Sequence, residues 1–341
     1  MKKSKNTTLK DVSIVAGVSV MTVSNVMRGK MGAVSEETRQ KVESAVKQLN
    51  YKPNVNARNL RASSSKSIGM IISDNDPAFL SDPFISQLVS GLSNVLSAKD
   101  YSLDIQGVIP QQFEQANMLS KFSNDGLCAI LCGDEQSRKR NIAFLKSIDL
   151  PSVVFQETIN CRGADIAIIR QEDHGGGYEL GKHLVKRKVK KVLFIRSITD
   201  WPAIEQRELG LRLAFHEESR RIEFETLASP SENFVDVQET VKKYLAHSTP
   251  DVIVGGTDAI AIAAMRMSEH LGFKVPSGIL LAGFNGFSLR QFSTPLLTTV
   301  TSQAYEMGCR AGEVLLERLS TGRFERKNIV FPTQLLIGDS T

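Results

Sequence analysis

Seven side chains between positions 19 and 28 carry the most specific chemistry near the amino terminus: Ser19, Val20, Met21, Thr22, Ser24, Asn25 and Arg28. A primary amide pairs bidentately with N6 and N7 of adenine, a guanidinium pairs best with guanine, and apolar side chains fit against thymine methyls. Such a set reads base edges, provided one rigid element presents it. The flanking residues supply that element. Thr8 caps a first helix, with Asp11 three residues on as in a capping box, and Val12, Val15 and Ala16 form its apolar face. Gly17 stops the helix, because a left-handed backbone costs glycine nothing. Ser19 caps a second helix in which Val23 and Val26 repeat at i, i+3. A short polar helix held across a glycine-containing turn is the geometry that enters a DNA major groove. An ordinary helical hairpin shares this local pattern. Against it stands a third capped helix over residues 35–50, whose stripe Val42, Ala45, Val46 and Leu49 closes a three-helix core.

The charge distribution agrees. Residues 1–67 hold 13 basic and 4 acidic side chains, net +9, whereas the remainder holds 29 basic and 33 acidic ones. A basic head on a mildly acidic body points to a polyanion-binding module joined to something else. The four cysteines, Cys128, Cys132, Cys161 and Cys309, lack zinc-ligand spacing and read as reduced, packed thiols. No signal peptide is expected before the first helix and no apolar run is long enough to span a bilayer, so a cytoplasmic protein is expected.

The order of segments resembles the lactose/galactose repressor family of bacterial transcription regulators. The family's V-S-x-x-T-V-S run is here Val18, Ser19, Thr22, Val23 and Ser24; its S-E-E-T-R run is Ser35 to Arg39; its Y-x-P-N-x-x-A-R-x-L run is Tyr51, Pro53, Asn54, Ala57, Arg58 and Leu60. The resemblance implies a helix-turn-helix head over 1–50, a hinge helix and linker over 51–67, and a two-lobed effector-binding and dimerisation body over 68–341. It also implies operator contacts from Thr8 and the second helix, with Asn54, Ala57, Leu60 and Arg61 contributing from the hinge. There the family's leucine, here Leu60, wedges between base pairs in the minor groove, and Arg61 reaches phosphate or the groove floor. Relatives often carry arginine where this chain has Asn25, so a half-site richer in A·T is expected under the second helix.

From Ile68 the pattern alternates apolar strand runs (68–72, 103–106, 127–131, 152–155, 166–169, 192–195, 252–255, 279–283) with amphipathic helices (84–98, 111–122, 174–187, 205–217, 235–245, 259–271). Such alternation implies doubly wound parallel sheets. The resemblance makes these two lobes of the type I periplasmic-binding-protein kind, joined by crossovers, with a cleft between. Catalysis has no positive sign. The glycine cluster Gly175–Gly177 lacks the third glycine of a dinucleotide loop, since position 180 is leucine; the resemblance implies instead that Gly175 and Gly176 let a strand turn tightly into a helix. His174 and His183 read as surface residues. Neither a cofactor nor a metal is expected.

At the family's effector positions stand Arg207, Thr257, Asp258 and Asn285, the last replacing a common aspartate. A guanidinium holds vicinal hydroxyls or a carboxylate bidentately. The alternative for Arg207 is a surface pair with Glu205 or Glu208, and for Asp258 a helix cap. Trp201 and Phe84 are stacking candidates, each with ordinary packing as its alternative. Ser73, Asp74 and the segment Ser81 to Phe84 follow the first strand at the mouth of the cleft. The implied function is a homodimeric, effector-controlled regulator of operator DNA, more often a repressor, with a sugar or sugar derivative as effector. A purine effector, a protein partner, and a sugar-binding sensory module without operator function are the alternatives.

Overall fold

The structure, a computed structural model, describes residues 7–27, 34–51, 64–121, 124–161, 163–218 and 221–341. It divides into two units, Met1–Ser65 and Lys66–Thr341. Arg28 and the hinge residues Asn54, Ala57, Leu60 and Arg61 lie outside the described residues, as does most of the expected hinge helix.

The head holds α1 (Leu9–Ala16), α2 (Val20–Met27) and α3 (Glu36–Gln48). The capping box forms as expected: Thr8 N donates to Asp11 Oδ2 at 2.8 Å, and Asp11 N donates back to Thr8 Oγ1. Gly17 adopts φ 65°, and Ser19 Oγ accepts from Thr22 N at 3.0 Å to start α2. The chain bends by 104° between α1 and α2. Val12, Ala16, Val23, Val42, Ala45 and Tyr51 form the core. Val15, expected on the apolar face, is exposed instead; the inward position is taken by Ser13, whose hydroxyl donates to the Lys10 carbonyl.

The body has two parallel sheets. The first is ordered β11 (Asn328–Phe331), β5 (Ile166–Gln171), β4 (Ser152–Phe155), β3 (Gly126–Ile130), β1 (Ser67–Ser73), β2 (Ser102–Val108). The second is ordered β12 (Leu335–Leu336), β10 (Thr298–Thr301), β9 (Leu280–Asn285), β8 (Val252–Gly255), β6 (Lys191–Ser197), β7 (Glu223–Ser229), with only β12 antiparallel. Helices α4 (Pro83–Ser97), α5 (Asn117–Lys121), α6 (Glu135–Ser147) and α11 (Ala304–Thr321) belong to the first lobe. Helices α7 (Asp173–Lys186), α8 (Pro202–His216), α9 (Phe234–Leu245) and α10 (Asp258–His270) belong to the second. The inner strands read as continuous apolar runs because both faces are covered by helices, the usual state of parallel sheets. Ser67, placed in the linker from sequence, is the first residue of β1 and pairs with Ser102.

The single helix expected over 111–122 is broken. A 3-10 turn, Pro110–Gln115, is followed by the short α5, because Ala116 takes an extended ψ of 128° and Gln106 Oε1 accepts the Met118 N–H. The strand β7 has no continuous apolar run: it is an edge strand with a polar, partly exposed sequence, EFETLAS.

Three crossovers join the lobes, after β5, β10 and β11, and they bond to one another. Ser302 Oγ donates to Gln171 Oε1 at 2.8 Å, Gln303 Nε2 to the Pro332 carbonyl at 2.8 Å, and Thr333 Oγ1 to the Glu172 carbonyl at 3.1 Å.

The glycine cluster plays a different part from the tight turn expected of it. Gly176 and Gly177 lie inside α7, where a Cβ on Gly177 would run into the Arg207 carbonyl and one on Gly210 of α8 into the His174 carbonyl. The two helices touch backbone to backbone, which seats α8 and its side chain Arg207 against the start of α7. We expect Gly177→Ala to lower unfolding stability by about 1–3 kcal/mol through overpacking, read as a reduced urea midpoint with an unchanged m-value.

Candidate functional site

The side chains expected to read bases lie on α2. Met21 is 74% exposed and Val20 44%, whereas Val23 is fully buried, so the helix shows one side to solvent and one to the core. Thr22, Ser24 and Asn25 are half-buried beside them. The hydroxyls of Thr8 and Ser19 are engaged in the caps of α1 and α2, and Thr22 Oγ1 lies 2.9 Å from Ser19 Oγ.

In the body, a cavity of about 470 Å³ opens between the lobes at the carboxyl ends of the strands, where open α/β sheets bind ligands. A smaller recess adjoins it, bordered by Arg207, Gln156, Phe84 and Ile204. Asp74 follows β1, Asp82 caps α4, Trp201 precedes α8, Thr257 caps α10, and Asn285 ends β9. Each sits where a strand gives way to a helix or loop. All five line the cavity, together with Asp258. Ser73 does not: it is fully buried at the end of β1. Phe84 packs in the first lobe's core and reaches only the smaller recess.

Arg207 is 3% exposed and pairs with neither Glu205 nor Glu208. Its Nε donates to Asp173 Oδ1 at 2.8 Å, Nη1 to the Gly256 carbonyl at 2.8 Å, and Nη2 to Asn285 Oδ1 at 3.0 Å, with the guanidinium 5.1 Å from the Phe284 ring centroid. A guanidinium has five N–H donors, so one on each terminal nitrogen remains for the recess. Glu208 instead pairs with Arg212, and Glu205 reaches across the lobes to Arg138, which also faces the buried Glu157. Asp173 is held from the other side as well: Gln156 Nε2 donates to Oδ2 at 3.1 Å and Gln171 Nε2 to Oδ1 at 3.0 Å.

Asn285 holds a φ of 113°, a backbone region that L residues rarely adopt, and strain of this kind gathers at functional sites. Its carbonyl oxygen is engaged by Arg207, which leaves the amide NH₂ as the group to offer a ligand. Asp258 has both oxygens taken within its own lobe, Oδ1 by Thr299 Oγ1 at 2.6 Å and Oδ2 by Gly286 N at 2.7 Å. Thr257 Oγ1 donates to Glu232 Oε2 at 2.9 Å.

Glu232, Phe79 and Phe287 complete the cavity wall. Their signal in the sequence is weak. Glu232 sits in the loop after β7, and without that strand nothing places the loop at a carboxyl end. The carboxyl groups share a common perturbation. Burial, first of all, pushes Glu232 from its ordinary 4.5 up to about 7, and the nearby Asp82 and Asp74 add to it. Asp74 is pushed up to about 6 by burial and by Asp76 and Asp82. Asp258 is pushed up to about 7 by burial, against the hydrogen bonds from Thr299 and Gly286. Burial also raises Asp82, against its bond from Phe84 N and the charge of Arg207.

Residues 8–54 match the family "Bacterial regulatory proteins, lacI family", and residues 182–341 match "Periplasmic binding protein-like domain". The chain belongs to the lacI family of bacterial regulatory proteins. It is 29% identical to the HTH-type transcriptional repressor PurR of Mannheimia succiniciproducens over 339 residues, 98% of each chain. It is 25% identical to the ribose operon repressor of Lactococcus lactis subsp. lactis over 327 residues, 96% of this chain and 95% of the relative. Its fold is similar to that of the lac repressor dimer bound to operator and the anti-inducer ONPF (TM-score 0.84, 23% identity, 99% of both chains). It is also similar to that of a transcriptional regulator CelR–cellobiose complex (TM-score 0.71, 21% identity, 98% and 100%). A lacI-family chain is a DNA-binding transcription regulator and not an enzyme.

The raised carboxyls make a pH statement. A group with a raised folded value stabilises the fold fully below its unfolded value and loses that contribution as pH rises through the folded one. For Glu232 the window runs from about 4.5 to about 7. We expect the thermal midpoint of the wild type to fall more between pH 4.5 and 7.5 than that of Glu232→Gln, in parallel scanning calorimetry.

Proposed function

We propose that the chain is a repressor, acting as a homodimer in the cytoplasm, whose hold on operator DNA is set by a sugar or sugar derivative bound in the body cleft. The observation that carries this reading is the donor set around the cavity: a half-engaged guanidinium, the Asn285 amide and several carboxylate acceptors beside the aromatic face of Trp201. Hydroxyl groups both donate and accept, so a polyol uses carboxylates, amide and guanidinium together, while an aromatic ring covers its apolar face. The names of the ribose operon repressor and of the CelR–cellobiose complex favour a sugar. A purine is the second reading, since Trp201 and Phe287 would equally stack a heterocycle.

Control would act through linkage. An effector that changes operator affinity by some factor has its own affinity changed by operator in the same factor. The resemblance puts the switch in residues 53–61, with Leu60 as the minor-groove wedge, whose unstacking cost is offset by contacts that a kinked duplex permits. Two copies are needed to read a two-fold operator.

Gel-shift titration against the chain's own upstream DNA tests the reading. A monosaccharide or disaccharide should move the apparent operator Kd in one direction. Trp201→Leu should weaken that response through a loss of about 1 kcal/mol in effector binding while leaving effector-free operator binding unchanged. If no sugar moves the Kd and a purine does, the sugar assignment fails. Base readout is checked separately. Site selection with the wild type should yield half-sites rich in A·T under α2, and Asn25→Ala should relax the preference for adenine at one position, by roughly 1–3 kcal/mol of discrimination.

A further inference from the structure

We propose that the effector is a sugar-like polyol bearing one ammonium group, seated between Asp82 and Glu232; this assignment rests on reading the cleft as a sugar site. Among the described residues five carboxyl side chains line the cavity, Asp74, Asp76 and Asp82 from the first lobe and Glu232 and Asp258 from the second, and no lysine or histidine joins them. Only Asp258 has both oxygens engaged in its own lobe. Asp74 accepts from the backbone of Asn75 and Asp76, Asp82 from that of Phe84 and Ile85, and Glu232 Oε2 from the Thr257 hydroxyl, so the hydrogen-bond donors that reach them are neutral. Among the described lining residues the one guanidinium, Arg207, pairs with Asp173 and offsets the carboxyls of Asp82 and Glu232 only in part. The wall therefore holds more carboxyl groups than it has protein cations to balance them.

That imbalance sorts the candidate ligands. A sugar acid or a phosphorylated sugar brings like charge into a half-buried acidic pocket, an unfavourable juxtaposition of the kind that discriminates against wrong partners. A neutral polyol satisfies hydrogen bonds but brings no charge to carboxyls that burial pushes toward their protonated form. A metal ion is a poor counter-charge, because among the described residues no three His, Cys, Asp or Glu side chains are placed to hold one. An ammonium on an extended ligand meets Asp82 and Glu232 from opposite lobes, and the faces of Trp201, Phe79 and Phe287 on the same wall add cation–π attraction. The raised carboxyls agree: burial is the first cause at Glu232 and Asp82, and the charge of Arg207 offsets it only in part, so an added ammonium would draw both toward their ionised form.

The test is isothermal titration of the full-length chain at pH 7 with matched sets in the gluco, galacto and manno series. Each set contains the amino sugar, its N-acetyl derivative, the neutral hexose and the uronate, with adenine, guanine and hypoxanthine alongside. In at least one series the amino sugar should bind ten times or more tighter than the N-acetyl and neutral members, with the uronate showing no heat. The double variant Asp82→Asn/Glu232→Gln, shown folded by circular dichroism, should erase that preference. A neutral sugar that binds as tightly as its amine overturns the charge assignment and leaves the sugar reading standing. Binding of a nucleobase alone, or of nothing in the panel, overturns both.

Discussion

The ion pair between Arg207 and Asp173 is the interaction on which the body depends. Both side chains are about 95% withdrawn from solvent, so the pair is tolerable only if the remaining donors and acceptors are matched. The Gly256 carbonyl, Asn285, Gln156 and Gln171 match all of them except one N–H on each terminal nitrogen of Arg207. Removing the guanidinium would strand Asp173 in the interior, which makes Arg207 a structural keystone whatever else it contacts. The backbone-to-backbone seating of α7 on α8 at Gly177 and Gly210 brings the pair into register.

The same network reaches the crossovers between the lobes. Gln171 lies in the first crossover and accepts from Ser302 in the second, while Gln156, at the end of β4 in the first lobe, holds both Asp173 and the Gln171 backbone. A ligand that draws on the two spare N–H groups of Arg207 therefore pulls on groups bonded to the strands that connect the lobes. Arg138 adds a separate bridge, from the first lobe to Glu205 on the helix that carries Arg207. A change in lobe angle would have to rearrange these few polar contacts, and small cores with discrete bonding patterns switch rather than deform smoothly.

The head is organised by different physics. Its three helices are short, and short helices are marginal without caps and a shared core. Thr8, Ser19 and Ser35 each supply a cap, Gly17 supplies the left-handed turn, and Val12 and Val23 fill the centre. The result leaves Val20 and Met21 exposed, which is unfavourable for an isolated domain and sensible for a surface that meets base edges.

The sequence by itself determined what local interactions decide. Caps, the glycine turn and i, i+3 spacing act within one turn of chain, so the head was legible almost to the residue, Val15 excepted. Buried parallel strands were legible because both faces are apolar, whereas Arg207, Thr257 and Asn285 were marked as cleft positions by the family resemblance, not by the pattern itself. Only the tertiary structure decided the partners of those residues. Nothing near Arg207 in sequence names Asp173, 34 residues away, over Glu205 and Glu208, which lie within a turn; helix packing brings one within reach and turns the others elsewhere. The edge strand β7 escaped notice because one-sided burial leaves a polar pattern, and Glu232 escaped with it. The crossovers were equally hidden, since β11 joins β5 across some 160 residues and such pairings follow from how two finished sheets fit together.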